Sequence, residues 1–236
     1  AHMKLSRQQI VGLIVGVVAV VLVGYAISLA VRPNDPYAGL VLFRETEMDE
    51  ATREYFTQRL QTTKAAIQAA EESGAEIDLN LYLSAASDAY SLGDLVQARE
   101  MLEKQLAGNS INFVAWNNYA LVLVDMKDYA DAEDAFKQTL EIDSTIEKYY
   151  ADYADFLVTV YPERRDDLKA LVEADLARNG QTVWNMVTLA DWYAEAGECD
   201  RAVSHYKVAV VLEPKSQALK DDMAALEESC IEKDAN

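Results

Sequence analysis

The sequence predicts an all-α protein: one membrane-spanning helix, one long helix, a solenoid of four helix-turn-helix units and a closing helix. Three observations carry this. Only four prolines and nine glycines occur in 236 residues, and the abundant Ala, Leu, Glu and Lys favour helix over sheet. Residues 10–31 form a run of 22 without a charge. From residue 79 onward, bulky and tiny apolar residues recur with a period of 34.

The first element is the apolar run. Ala1, His2 and Met3 read as a cloning remnant, residues 1–3, with the natural chain starting at Met3. At about 1.5 Å per residue, residues 10–31 measure about 33 Å, enough to cross the hydrocarbon of a bilayer. Lys4 and Arg7 precede the run, and an acidic region follows it. The positive-inside rule therefore puts the N-terminus in the cytoplasm and the C-terminal domain on the extracytoplasmic (periplasmic) side. Two other readings stay open. One is a signal peptide cleaved near Ser28-Leu29-Ala30, and the other is a single-pass protein facing the cytoplasm. Gly12 and Gly16 have the small-xxx-small spacing of close-packed membrane helices, which allows a homodimer through the anchor.

Charge narrows the partners. The first acidic residue is Asp35, and from it onward 18 basic residues face 40 acidic ones. Binding to nucleic acid or anionic lipid depends on lysines and arginines that release counterions, so this composition excludes a nucleic-acid partner. Residues 32–46 read as a linker. Residues 47–74 read as one long helix with Met48, Tyr55, Phe56, Leu60, Ile67 and Ala70 on one stripe and Gly74 as its stop.

The repeat follows. Under a shift of 34, Tyr82 meets Trp116, Ala86 meets Ala120, Ala98 meets Ala132, Leu102 meets Phe136 and Leu106 meets Leu140. A second shift of 34 keeps Tyr119 on Tyr153 and Ala120 on Ala154, after which the register slips by two. A shift of 70 recovers it, with Ala120 on Ala190, Ala132 on Ala202, Phe136 on Tyr206 and Ser144 on Pro214. The extra two residues fall most simply in the turn 161–165. Large and small residues at helical intervals seat a knob on one helix against a small partner on the next, so that Ala120 with Ala132, and Ala190 with Ala202, mark close approaches. Each hairpin leaves apolar surface that the next one covers.

Trp116, Tyr119-Ala120, Leu123, Ala132 and Phe136, repeated as Leu189-Ala190, Tyr193, Ala202, Tyr206 and Pro214, resemble the tetratricopeptide repeat family. The resemblance implies a right-handed superhelical solenoid with units at 79–112, 113–146, 147–182 (degenerate in its second helix) and 183–216. A capping helix at 217–233 carries Leu219, Met223, Leu226 and Cys230 on one face. It further implies a groove, lined by the first helix of each unit, that binds a protein or peptide. By helical face the lining comprises Tyr90, Asn117, Asn118, Leu121, Asp125, Lys148, Asp152, Asp155, Trp184 and Asp191. Its aspartates favour a basic or neutral partner. Some family members clamp a C-terminal carboxylate. Asn118 and Lys148 match two of their positions, but Leu83, Ser87 and Asp152 stand where cations or amides are required.

Cys199 starts the second helix of the fourth unit, and Cys230 lies on the cap. Stacking puts these positions on one edge, which leaves either a disulfide or two small buried hydrophobes. No phosphate-binding loop, nucleophile elbow or metal-ligand spacing occurs, and His205 is the one histidine beyond the remnant. Asp125, Asp128, Asp131 and Asp134 lack the glycine of a calcium loop. These features point away from an enzyme, a cofactor or a metal.

Function follows as a membrane-anchored adaptor or scaffold that assembles a membrane or envelope complex. One alternative is an assembly chaperone, because Asp152-Tyr153-Ala154-Asp155 is similar to a stretch in the tetratricopeptide subunits of cytochrome c maturation. The other is a regulatory subunit of a pilus, secretion or envelope enzyme system.

Overall fold

A computed structural model describes residues 36–234. The expected membrane helix at 10–31, with Gly12 and Gly16, lies outside the described residues. Among the described residues no helix is long and apolar enough to cross a membrane. Two units divide after residue 40. In the first, residues 36–40 form a turn in which the Leu40 N–H donates to the Tyr37 carbonyl at 3.1 Å. The rest of this description concerns residues 41–234.

Ten helices are present among the described residues: α1 (Glu50–Ser73), α2 (Leu79–Leu92), α3 (Leu95–Gly108), α4 (Phe113–Met126), α5 (Tyr129–Ile142), α6 (Glu147–Val160), α7 (Arg165–Asn179), α8 (Val183–Glu195), α9 (Cys199–Leu212) and α10 (Gln217–Asp234). Each packs on its neighbour in sequence. The first helices of successive hairpins also meet, α2 with α4 and α4 with α6.

Local chemistry sets the ends. Asp49, Asp78, Asp94 and Asn112 each accept a backbone N–H with the side chain at a helix start, and Thr182 and Asn185 form a reciprocal capping box. Helix α1 therefore begins at Glu50 rather than at residue 47, because the Asp49 carboxylate takes the Thr52 N–H at 2.8 Å. Its buried stripe is also narrower than expected. Leu60 and Ile67 are buried, whereas Tyr55 is 56% exposed and lies beneath the Arg59 guanidinium. Arg59 in turn holds the fully buried carboxylate of Asp88 on α2, so α1 is fixed to the first hairpin by an ion pair as well as by apolar contact.

Small residues let the helices close up. Ala120 and Ala132 are both fully buried in one cluster with Leu123, Phe136, Tyr153, Phe156 and Leu157, which joins the second hairpin to the third. Ala190 and Ala202 are equally buried in the fourth hairpin. The turn between α6 and α7 spans residues 161–164, against 93–94 and 127–128 in the first two hairpins. The third hairpin is accordingly the least tightly paired of the four. Helix α10 packs on α9, and Cys199 is bonded to Cys230 with the two Cα atoms 5.7 Å apart.

The segment expected to be a linker is a docked strap over residues 41–46. The Val41 N–H donates to the Met126 carbonyl and the Arg44 N–H to the Gly93 carbonyl, both at 2.9 Å, and Phe43 forms an isolated bridge with Asp94. Three extended residues rise about 10 Å, which matches the distance between packed helices, so one strand meets the turns of two consecutive hairpins. The physical reason is an unmet acceptor at the end of each first helix, which an extended N–H can satisfy.

Candidate protein-binding groove

The strap occupies part of the expected groove. The Arg44 guanidinium lies 4.4 Å over the Tyr90 ring, donates to the Tyr90 hydroxyl and carbonyl at 3.2 Å each, and pairs with Asp125 at 2.6 Å. Burial, and then the Asp125 charge, raises the pKa of Tyr90. Tyr90 and Asp125 are thus engaged within the chain.

Asn118 and Leu121 do reach a surface depression. With Ser87 and Tyr90 they line a cavity of about 70 Å³ between the first and second hairpins. Asn117 does not. It is 2% exposed, and its amide donates to the Asp152 carboxylate at 2.7 Å across the α4–α6 contact, while its own oxygen is buried without a partner. One residue turns a helix by about a quarter-circle or more, so Asn117 faces the neighbouring first helix and Asn118 the groove. Lys148 pairs with the same Asp152, which neutralises the one cation expected in the lining. Asp155 is exposed, and the surrounding protein, then the charge of Asp152, raises its pKa. Trp184 is half-buried against the cluster of Val172, Met186, Leu189 and Tyr193, so its ring serves the fourth hairpin.

Asp191 borders a larger hollow of about 330 Å³ between the third and fourth hairpins. Leu157, Val158, Tyr161 and Leu168 form one wall, and Thr188, Asp191, Trp192 and Glu195 the other, with Arg164 and Arg165 at the rim. Sequence reasoning named only Asp191 here. The two-residue insertion in the turn 161–165 was the available signal, because a longer turn holds α6 and α7 apart. Arg164 is drawn to Glu133 by two hydrogen bonds of 2.8 and 2.9 Å, and this pairing pulls the Glu133 carboxyl down to about 2. Arg165 pairs with Glu195 and donates to the Trp192 carbonyl at 3.1 Å.

Other candidate chemistry is accounted for locally. His205 stacks flat on Tyr193 with centroids 5.3 Å apart, and burial lowers its pKa. Asp128 accepts from Arg99. No group of three metal-ligating side chains occurs among the described residues.

Solved structures share the helical repeat fold. MamA superposes with a TM-score of 0.56 at 15% identity, covering 72% of this chain and 97% of that one. YrrB, described as a TPR protein with an unusual peptide-binding site, gives 0.53 at 18% identity over 71% and 84%. The fold is that of a tetratricopeptide-repeat solenoid. PilW, a type IV pilus biogenesis factor, likewise matches this repeat fold at 0.51 and 20% identity, over 66% of this chain and 71% of that one. No family model matches the sequence, and no curated protein does.

Proposed function

We propose that this chain is a membrane-anchored scaffold whose repeat domain holds an extended segment of another protein while an envelope complex assembles. One observation carries the reading: the domain already holds an extended segment, its own residues 41–46, across two hairpins through backbone carbonyls and one arginine. Repeats of this kind present the same acceptors from unit to unit, so a surface that seats one strand is suited to others. The proposal assigns the chain no chemistry of its own. Its anchor is residues 10–31, with the domain on the extracytoplasmic side. Lys4 and Arg7 support that orientation, as does the Cys199–Cys230 bond, since disulfides persist in oxidising compartments. The likeness to PilW favours a place in pilus or envelope assembly over other membrane systems.

The test is crosslinking of the whole chain in its native membrane, followed by mass spectrometry, against an anchor-only control. A protein enriched over the control is expected, and its yield should fall when Asn118→Ala and Asp155→Ala are combined. Undiminished capture by that variant would remove the first-helix face from the account, and enrichment of nothing would end the scaffold reading.

A further inference from the structure

The seat of Arg44 has a partial equivalent further along the repeat. It is built from Tyr90 and Gly93 of the first hairpin and Asp125 of the second. Carried forward by the repeat register, these positions become Val124, Lys127 and Thr159 at the next junction, then Val158, Tyr161 and Glu195 between the third and fourth hairpins. The middle junction has no acid and carries a lysine. The last keeps an acid, and Val158, Tyr161 and Glu195 all line its 330 Å³ hollow. That hollow is thus the positional equivalent of a site which, two hairpins earlier, is filled by an arginine from an extended strand.

The two seats differ in their walls, with Val158 and Tyr161 in place of Tyr90 and Gly93, and in their charges. Arg165 already pairs with Glu195. Asp191 stands one helical turn earlier on the same face of α8, where the second hairpin has Leu121, and so adds a second acid. Among the described residues Asp191 has no ion-pair partner, and its hydrogen bond comes from the Tyr206 hydroxyl at 3.3 Å. Desolvation, together with the charges of Glu195 and Asp222, raises its pKa, as expected of a carboxylate lacking a cation. Trp192 in the same wall already has the Lys169 ammonium 4.7 Å and the Arg165 guanidinium 5.7 Å from its ring centroid, so Asp191 is the group there without a cation of its own.

We propose that the hollow between the third and fourth hairpins is the docking site for an extended segment of a partner protein that places an arginine against Asp191 and Glu195. The proposal rests on the scaffold reading and names the partner chemistry of one site within it. Leu157, Val158 and Leu168 bury the apolar stem of such a side chain while the two acids fix its head.

The experiment uses a fluorescent peptide with the sequence of residues 41–46, Val-Leu-Phe-Arg-Glu-Thr, and its counterpart with alanine in place of arginine. Anisotropy is measured with the whole chain, with Asp191→Asn plus Glu195→Gln, and with Asp125→Asn. The arginine peptide is expected to bind the parent chain. Binding should weaken at least tenfold on loss of its arginine, and as much in the Asp191→Asn, Glu195→Gln variant, whose helical circular dichroism should match the parent. Equal binding of both peptides, or loss confined to Asp125→Asn, would overturn the site. Failure of the peptide with continued crosslinking of a partner in membranes would also overturn this inference, and would leave the scaffold standing.

Discussion

The carbonyl oxygen of Arg44 lies 2.0 Å from the point that a Cβ on Gly93 would occupy. Gly93 also has a φ of +86°, a region that side chains resist. Two constraints therefore meet at one residue, and the strap is held here by backbone contact in addition to the Arg44 side chain on Tyr90 and Asp125. Gly93→Ala should cost about 1–3 kcal/mol and lift residues 41–46 off the hairpins. Thermal unfolding would report the loss, and limited proteolysis should show new cleavage within the strap. Unchanged protection there would mean that the strap does not depend on this contact.

The seam between α4 and α5 has no spare room. Ala132 is fully buried among Ala120, Leu123 and Phe136. Ala132→Leu should overpack it by about 1–3 kcal/mol, lowering the melting temperature measured by circular dichroism. A neutral result would contradict the packing described for this hairpin.

Acid should weaken the junction of the second and third hairpins. Arg164 above all, then Lys137 and the Tyr153 hydroxyl, hold the Glu133 carboxyl down to about 2 from its ordinary 4.5. A group whose folded pKa is depressed stabilises above its unfolded pKa and loses that contribution as pH falls toward the folded value. The loss should therefore develop between about pH 4.5 and about pH 2 and amount to roughly 2–3 kcal/mol. Denaturant titrations near pH 7 and near pH 3 would measure it. In Glu133→Gln the pH dependence should flatten by that amount.

The cap depends on its covalent tie. Cys199 and Cys230 are separated by 31 residues, so opening the bond frees a loop whose closure is worth about 3–4 kcal/mol. Reduction, or Cys230→Ser, should lower the melting temperature. It should also make residues 217–234 the first region cut by protease.

The hairpins were legible because their signal lies in side-chain size. Ala120, Ala132, Ala190 and Ala202 have to be small wherever two helices approach closely, and a fixed period exposes that demand. The strap was not legible for the opposite reason. Val41 and Arg44 are placed by their backbone N–H groups, which every residue but proline possesses, so no pattern marks them. Asn117 and Asn118 illustrate a finer limit. A face assigned by counting is uncertain by about one residue's rotation, which is enough to confuse a buried partner of Asp152 with a residue open to the groove. The hollow beside Asp191 was visible only as two surplus residues in 161–165. That such an insertion opens space, rather than bulging harmlessly outward, follows from how α6 and α7 diverge.

Residues 47–49 alone separate the strap from α1, and a tether that short sets a local concentration in the millimolar range. A rival strand supplied at micromolar levels is outnumbered about a thousandfold at the first two hairpins. The seat at Tyr90, Gly93 and Asp125 is consequently reserved for the chain itself, and competition among outside segments takes place on the surfaces that the strap leaves uncovered.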